Sequence, residues 1–198
     1  MVPLPFKIAD AMSETKLSPI LQQAMDAVDR AIEHMTDEQL AWHPDGKWSS
    51  AGILEHLSLA YERTAERMRP VIHQDTLELR QRTFREWAGA FIVLRLGRIP
   101  PGRKAPEGLS PKGTNPGPVI ASIRQKLAEM DGVLKQCEAR FGDKRRVLLH
   151  AILGPLSIRE WRRFHSVHTF HHMKQIQALR EKMQMANATT DVVHRTTS

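Results

Sequence analysis

From Ile120 to Phe141 the apolar residues Ile120, Ile123, Leu127, Met130, Leu134, Cys137 and Phe141 recur at steps of three and four. That spacing holds one side of an α-helix apolar over six turns and cannot be satisfied by a strand, whose faces alternate every second residue. Three further segments carry the same stripe. Leu17, Leu21, Ala24, Val28, Ala31 and Met35 predict a helix over 16–36, and Ile53, Leu57, Ala60, Tyr61 and Met68 one over 50–69. Trp161, Ile176, Leu179 and Met183 lie on one face of a last helix ending near Met185. No segment shows useful strand alternation. Four long helices, each with one apolar face, predict an all-α four-helix bundle.

Punctuation supports these boundaries. Ser49 is a good N-cap for the second helix, with Trp48 and Ile53 placed as a hydrophobic staple. Gly142 ends the 119–141 helix, and Pro155-Leu-Ser157 caps the last one, leaving 147–154 as a connector. An extra helix is expected over 76–96 through Phe84, Trp87, Phe91 and Leu94, stopped by Gly97. The next 22 residues, Gly97 to Pro118, hold six of the twelve prolines and five of the eleven glycines, so they predict a long loop of the kind that often covers a site. One domain over 16–185 is expected, with a lead-in at 1–15 and a polar, disordered tail at 186–198.

Composition excludes several classes. The single cysteine, Cys137, cannot form an internal disulfide and suits a reducing cytoplasm. The longest nearly apolar run, Ala88–Leu94, is far short of the ~20 residues that span a bilayer, and the N-terminus shows no hydrophobic signal core. No membrane association and a cytoplasmic location are therefore expected. The formal net charge is +7, but the basic residues come in short scattered clusters without a nucleic-acid reading motif. A solvated basic face or an anionic small-molecule substrate fits better than nucleic acid. An aromatic run at Phe84, Trp87 and Phe91 either closes over the core or pairs two copies as a homodimer.

The chemistry concentrates in the last helix. His165, His168, His171 and His172 place four of the ten histidines within eight residues. At about 100° per residue, with Trp161 at zero, His168 falls near 340°, His172 near 20° and His165 near 40°, inside the apolar sector; His171, near 280°, is marginal. A buried polar ring without partners costs on the order of 1–3 kcal/mol, so these rings need something to bind. His168 and His172, one turn apart, can converge on one metal ion. On the second helix His56 lies at the edge of the apolar stripe, where it could reach the same pocket. Glu55 points away from it, and Glu160 precedes the histidine cluster. Gln175, one turn beyond His172, belongs either to the pocket wall or to helix packing.

Two segments resemble the DinB-like superfamily of metal-binding four-helix bundles. One is Gly46-Lys-Trp48-Ser-Ser-Ala-Gly-Ile-Leu-Glu-His56-Leu. The other is Gly154-Pro-Leu-Ser-Ile-Arg-Glu-Trp161, followed by His168-Thr-Phe-His171-His172-Met-Lys-Gln175. The likeness spans most of residues 17–183. It implies a bundle of up-down-down-up type, a His56, His168 and His172 triad holding a divalent ion (zinc or nickel first, then iron or cobalt), and relatives that include thiol S-transferases and maleylpyruvate isomerase-like enzymes. Three neutral imidazoles leave coordination positions open, as in catalytic sites. The expected activity is transfer of a low-molecular-weight thiol such as bacillithiol or mycothiol, its thiolate on the metal and its carboxylates near Arg98, Arg103 and Lys104. Metal-assisted hydrolysis, with hydroxide on the metal and His165 or His171 as a base, is one alternative. A non-catalytic stress-responsive metal-binding module is the other.

Overall fold

The computed structural model describes residues 16–100, 102 and 105–196. Four long helices form the bundle: α1 (Pro19–Ile32), α3 (Ser50–Met68), α5 (Pro116–Phe141) and α6 (Ile158–Thr196), with short helices α2 (Asp37–Ala41) and α4 (Phe84–Ala90) in the connections. The apolar stripes meet in one core, in which Leu21, Leu54, Leu57, Met130, Leu134, Leu156 and Ile176 are fully enclosed.

Contacts between helices give their directions. Along α3 and α5, Glu62 pairs with Lys126 and the Met68 carbonyl accepts from Cys137, so the two helices run parallel. Ser18, at the start of α1, meets Asp131 of α5, while Asp29 further along pairs with Arg124; α1 and α5 are therefore antiparallel. Tyr61 meets Thr169 and Thr64 meets His165, which makes α3 and α6 antiparallel. The order is up-down-down-up. Two parallel neighbours in sequence need a long crossover, and residues 69–115 supply it.

Asp131 ties three helices together. Its buried carboxylate accepts from the Ser18 amide (2.7 Å) and hydroxyl (2.9 Å) and from Arg162 Nε (3.2 Å), with Lys135 Nζ at 3.1 Å. Burial opposes its ionisation, but these donors outweigh burial and hold its pKa below the usual aspartate value.

Ser49 caps α3 as expected, accepting from the Gly52 amide at 3.0 Å. Ser157 and Glu160 form a reciprocal capping box on α6. Several boundaries differ from the sequence reading. The helix expected over 76–96 begins only at Phe84, because Thr83 and Glu86 cap it reciprocally. Upstream, the carbonyls of Gln74 and Leu77 are taken by Arg140 and Arg145 instead of by helical amides. Beyond Ala90 the chain widens into a π turn, Phe91–Arg95, before Gly97 (φ 64°) turns it away. The 147–154 connector is part of a hairpin in which β1 (Arg146–His150) pairs antiparallel with β2 (Gly154–Ser157). All four β2 residues are buried, so no alternation marks them in the sequence. α6 continues to Thr196, past the expected end at Met185 and through most of the segment 186–198 expected to be a disordered tail; no Gly or Pro between 186 and 196 breaks it. The lead-in expected at 1–15 lies outside the described residues.

The aromatic run does not close over the core. Phe84, Trp87 and Phe91 form an outward stack, with Trp87 55% and Phe84 81% exposed. No helix among the described residues is long and apolar enough to cross a membrane.

Candidate metal centre

The antiparallel contact of α3 and α6 brings His56 against His168 and His172. The Nε2 atoms of His56 and His168 are 3.2 Å apart, and those of His168 and His172 3.0 Å. Trp48 tilts over His56 with ring centroids 5.1 Å apart, and Phe164 stacks on His168 at 5.5 Å. The histidines expected to converge thus do so, and their ligand atoms all lie within 4.8 Å of one another.

Their outer hydrogen bonds decide which nitrogen carries the proton. His56 Nδ1 lies 2.7 Å from the Leu109 carbonyl, and His172 Nδ1 lies 2.8 Å from Gln175 Oε1. Both partners can only accept, so both Nδ1 atoms are protonated donors and both Nε2 atoms present lone pairs inward. His168 Nε2, between them, can donate to one at most. At least one inward Nε2 lone pair is therefore left without a donor of its own among these rings, and a cation among them would satisfy it. Two ligands ~2.1 Å from a tetrahedral ion would stand about 3.4 Å apart, close to the separations here. The donor set fits a divalent metal ion.

Electrostatics favour the neutral ligand form. Burial drives all three pKa values down, that of His172 to about 4 and that of His168 well below the ordinary imidazole value. Mutual repulsion among the rings adds to this at His168 and His172. His168 Nδ1 is buried with no hydrogen-bond partner among the described residues.

The other expected residues fall elsewhere. His165, fully buried, contacts Thr64 Oγ1 through Nε2 at 3.0 Å and packs on Tyr61 and Trp161, so it does not reach the triad. This also explains the polar Thr64 on the inner face of α3. His171 is half-buried and meets Gln175 Nε2 at 3.2 Å, so the Gln175 amide links it to His172. Arg98 lines a cleft of about 370 Å³ with His171, Lys174, Phe170, Ile92 and Ile99; Arg103 and Lys104 lie outside the described residues.

Glu55 does turn away from His56, but its role was missed. Its carboxylate accepts the amides of Lys112, Gly113 and Thr114 (3.1–3.2 Å) and the Thr114 hydroxyl (2.6 Å). Burial works against its charge, yet these four donors keep its pKa below the usual glutamate value. The Pro/Gly-rich segment is thereby docked on the first turns of α3, which brings the Leu109 carbonyl to His56. An acidic residue one position before a histidine was the only available signal, and it does not reveal a loop 57 residues away.

The sequence profile of the DinB superfamily matches residues 20–176. Among solved structures the chain is similar to YfiT from Bacillus subtilis, described as a probable metal-dependent hydrolase with an unusual four-helix bundle topology. The identity is 17% and the TM-score 0.53, covering 83% of this chain and 84% of that one. No curated protein matches the chain. With a profile match over most of its length, the chain belongs to the DinB superfamily.

Proposed function

We propose that the chain is a divalent-metal-dependent enzyme that presents a low-molecular-weight thiol to an electrophilic substrate. The observation that carries the metal is the convergence of Nε2 lone pairs, two of them fixed inward by the Leu109 carbonyl and Gln175. Bound there, the ion would supply positive charge that lowers the pKa of a coordinated thiol or water. His56, His168 and His172 would hold it as neutral ligands. The group contains no carboxylate to offset that charge, which favours an anionic ligand. In the cleft beside His171, Arg98 and Lys174 would bind an anionic tail while Phe170 and Ile99 contact its apolar part.

Hydrolysis is the second reading, favoured by the description of YfiT. Metal analysis comes first: the native chain, purified without a tag, is expected to carry one ion, and His168→Ala none. Cobalt-substituted protein would then be titrated with cysteine-derived thiols, where a sulfur-to-cobalt charge-transfer band is expected. Absence of the band with every thiol, alongside a cobalt spectrum perturbed by esters, would move the assignment to hydrolysis. Full metal occupancy in a His56/His168/His172 triple alanine variant would remove the site itself.

A further inference from the structure

A second cavity of about 720 Å³ opens on the opposite side of α6, lined by none of the three clustered histidines. Its volume falls within the ~300–1,000 Å³ of pockets that hold small molecules. Its walls combine two chemistries. One is apolar: Ile20, Trp87, Ala90, Phe91 and Leu94. Trp87 and Phe91 stack nearly parallel (18°, centroids 5.9 Å apart) and both are about half exposed, so the apolar shelf faces water.

The other wall is cationic. Five arginines line the cavity against two carboxylates, Asp143 and Glu160. Both carboxylates are already engaged, Asp143 by Arg159 and Glu160 by Arg82. Arg162 is held by Asp131 and Glu138. The remaining donors are uncommitted. Arg95 has no side-chain partner among the described residues, and Arg163 uses only Nε, toward the Leu94 carbonyl. Arg82, whose side chain is 10% exposed, keeps a buried Nε with no hydrogen-bond partner among the described residues. Phe91, Leu94 and Arg95 all belong to the π turn, a distortion that recurs at functional sites.

We propose that this cavity binds an amphipathic organic carboxylate, its apolar body on the Trp87–Phe91 shelf and its head group on Arg95 and Arg163. Charge complementarity selects the anion: spare guanidinium donors are planar and match a carboxylate in pairs. The exposed aromatic shelf selects the apolar body. The site is independent of the metal reading, because it uses the outward face of α6.

The full chain would be titrated calorimetrically with decanoate, decan-1-ol and inorganic phosphate. Saturable one-to-one binding of decanoate is expected, at least tenfold tighter than of either the neutral alcohol or the bare anion. Arg95→Glu and Trp87→Ala, both at exposed positions, should each weaken decanoate at least tenfold, while His168→Ala should leave it unchanged. Equal affinity for decanoate and decanol would reduce the cavity to a greasy surface and overturn the proposal. Loss of binding in His168→Ala would assign the carboxylate to the metal centre instead. A molecular mass by light scattering that falls by half in Trp87→Ala would show the shelf to be covered by a second copy of the chain, which also overturns it.

Discussion

Two of the three clustered histidines, His56 and His172, depend on what holds the far nitrogen. Gln175 supplies the acceptor for His172 Nδ1–H at 2.8 Å, so it sets the tautomer that leaves Nε2 free. Gln175→Leu is expected to weaken metal binding about 10–100-fold, measured by competition with a chromophoric chelator, while Gln175→Glu, which still accepts, should retain it. Unchanged affinity in the leucine variant would show that the ring needs no such support. Buried histidines also make the metal-free protein acid-sensitive. Burial, then the Arg67 charge, lowers the His150 pKa to about 4, and burial, then His150, lowers that of His165 to about 3. Both are depressed relative to ~6.5 in the unfolded chain. Below that value the unfolded state binds more protons, so stability rises with pH and is lost as pH falls from about 6.5 toward 4. His150 alone corresponds to about 3 kcal/mol over that window. Urea midpoints that do not fall between pH 7 and pH 4.5 would contradict this.

At the scale of elements, one carboxylate, that of Glu55, fastens residues 112–114 to α3. Removing the Glu55 side chain leaves the Lys112, Gly113 and Thr114 amides and the Thr114 hydroxyl without their acceptor. Hydrogen bonds to a charged group contribute roughly 1.5–3 kcal/mol, so Glu55→Ala should destabilise the chain by about 2 kcal/mol and speed hydrogen exchange at those amides. Metal affinity should fall with it, because the Leu109 carbonyl that orients His56 lies on the same segment. Protection that persists in Glu55→Ala would mean the prolines alone hold the loop. The short helix α4 shows the same logic in reverse: its apolar residues extend further than the helix does, and the Thr83–Glu86 capping box decides where it starts.

Over the whole molecule, helix order depends on a few polar ties as well as on the core. Asp131 links the start of α1, the middle of α5 and Arg162 of α6. Removing one member of a buried ion pair strands its partners, typically at about 3–5 kcal/mol. Arg162 keeps Glu138 as a second partner, so Asp131→Ala is expected near the lower end, about 3 kcal/mol, read from equilibrium denaturation. A loss below 1 kcal/mol would show that apolar packing alone orders the helices.

The four long helices, the caps at Ser49 and Ser157 and the inward faces of His168 and His172 were legible in the sequence, because helical periodicity and capping act between residues three or four apart. The Trp48–His56 and His168–His172 segments also carried the family resemblance. His56 by itself was only an edge position; the antiparallel approach of α3 to α6 brought it to the other two rings. The removal of His165 to Thr64, the docking of the loop on Glu55, the β1–β2 hairpin and the cationic cavity behind α6 were likewise decided in three dimensions. Each joins residues far apart in the chain or buried on every side, where neither period nor neighbouring residues carry a signal. Local free energies write helices into a sequence, whereas pairwise meetings of distant side chains exist only once the helices have packed.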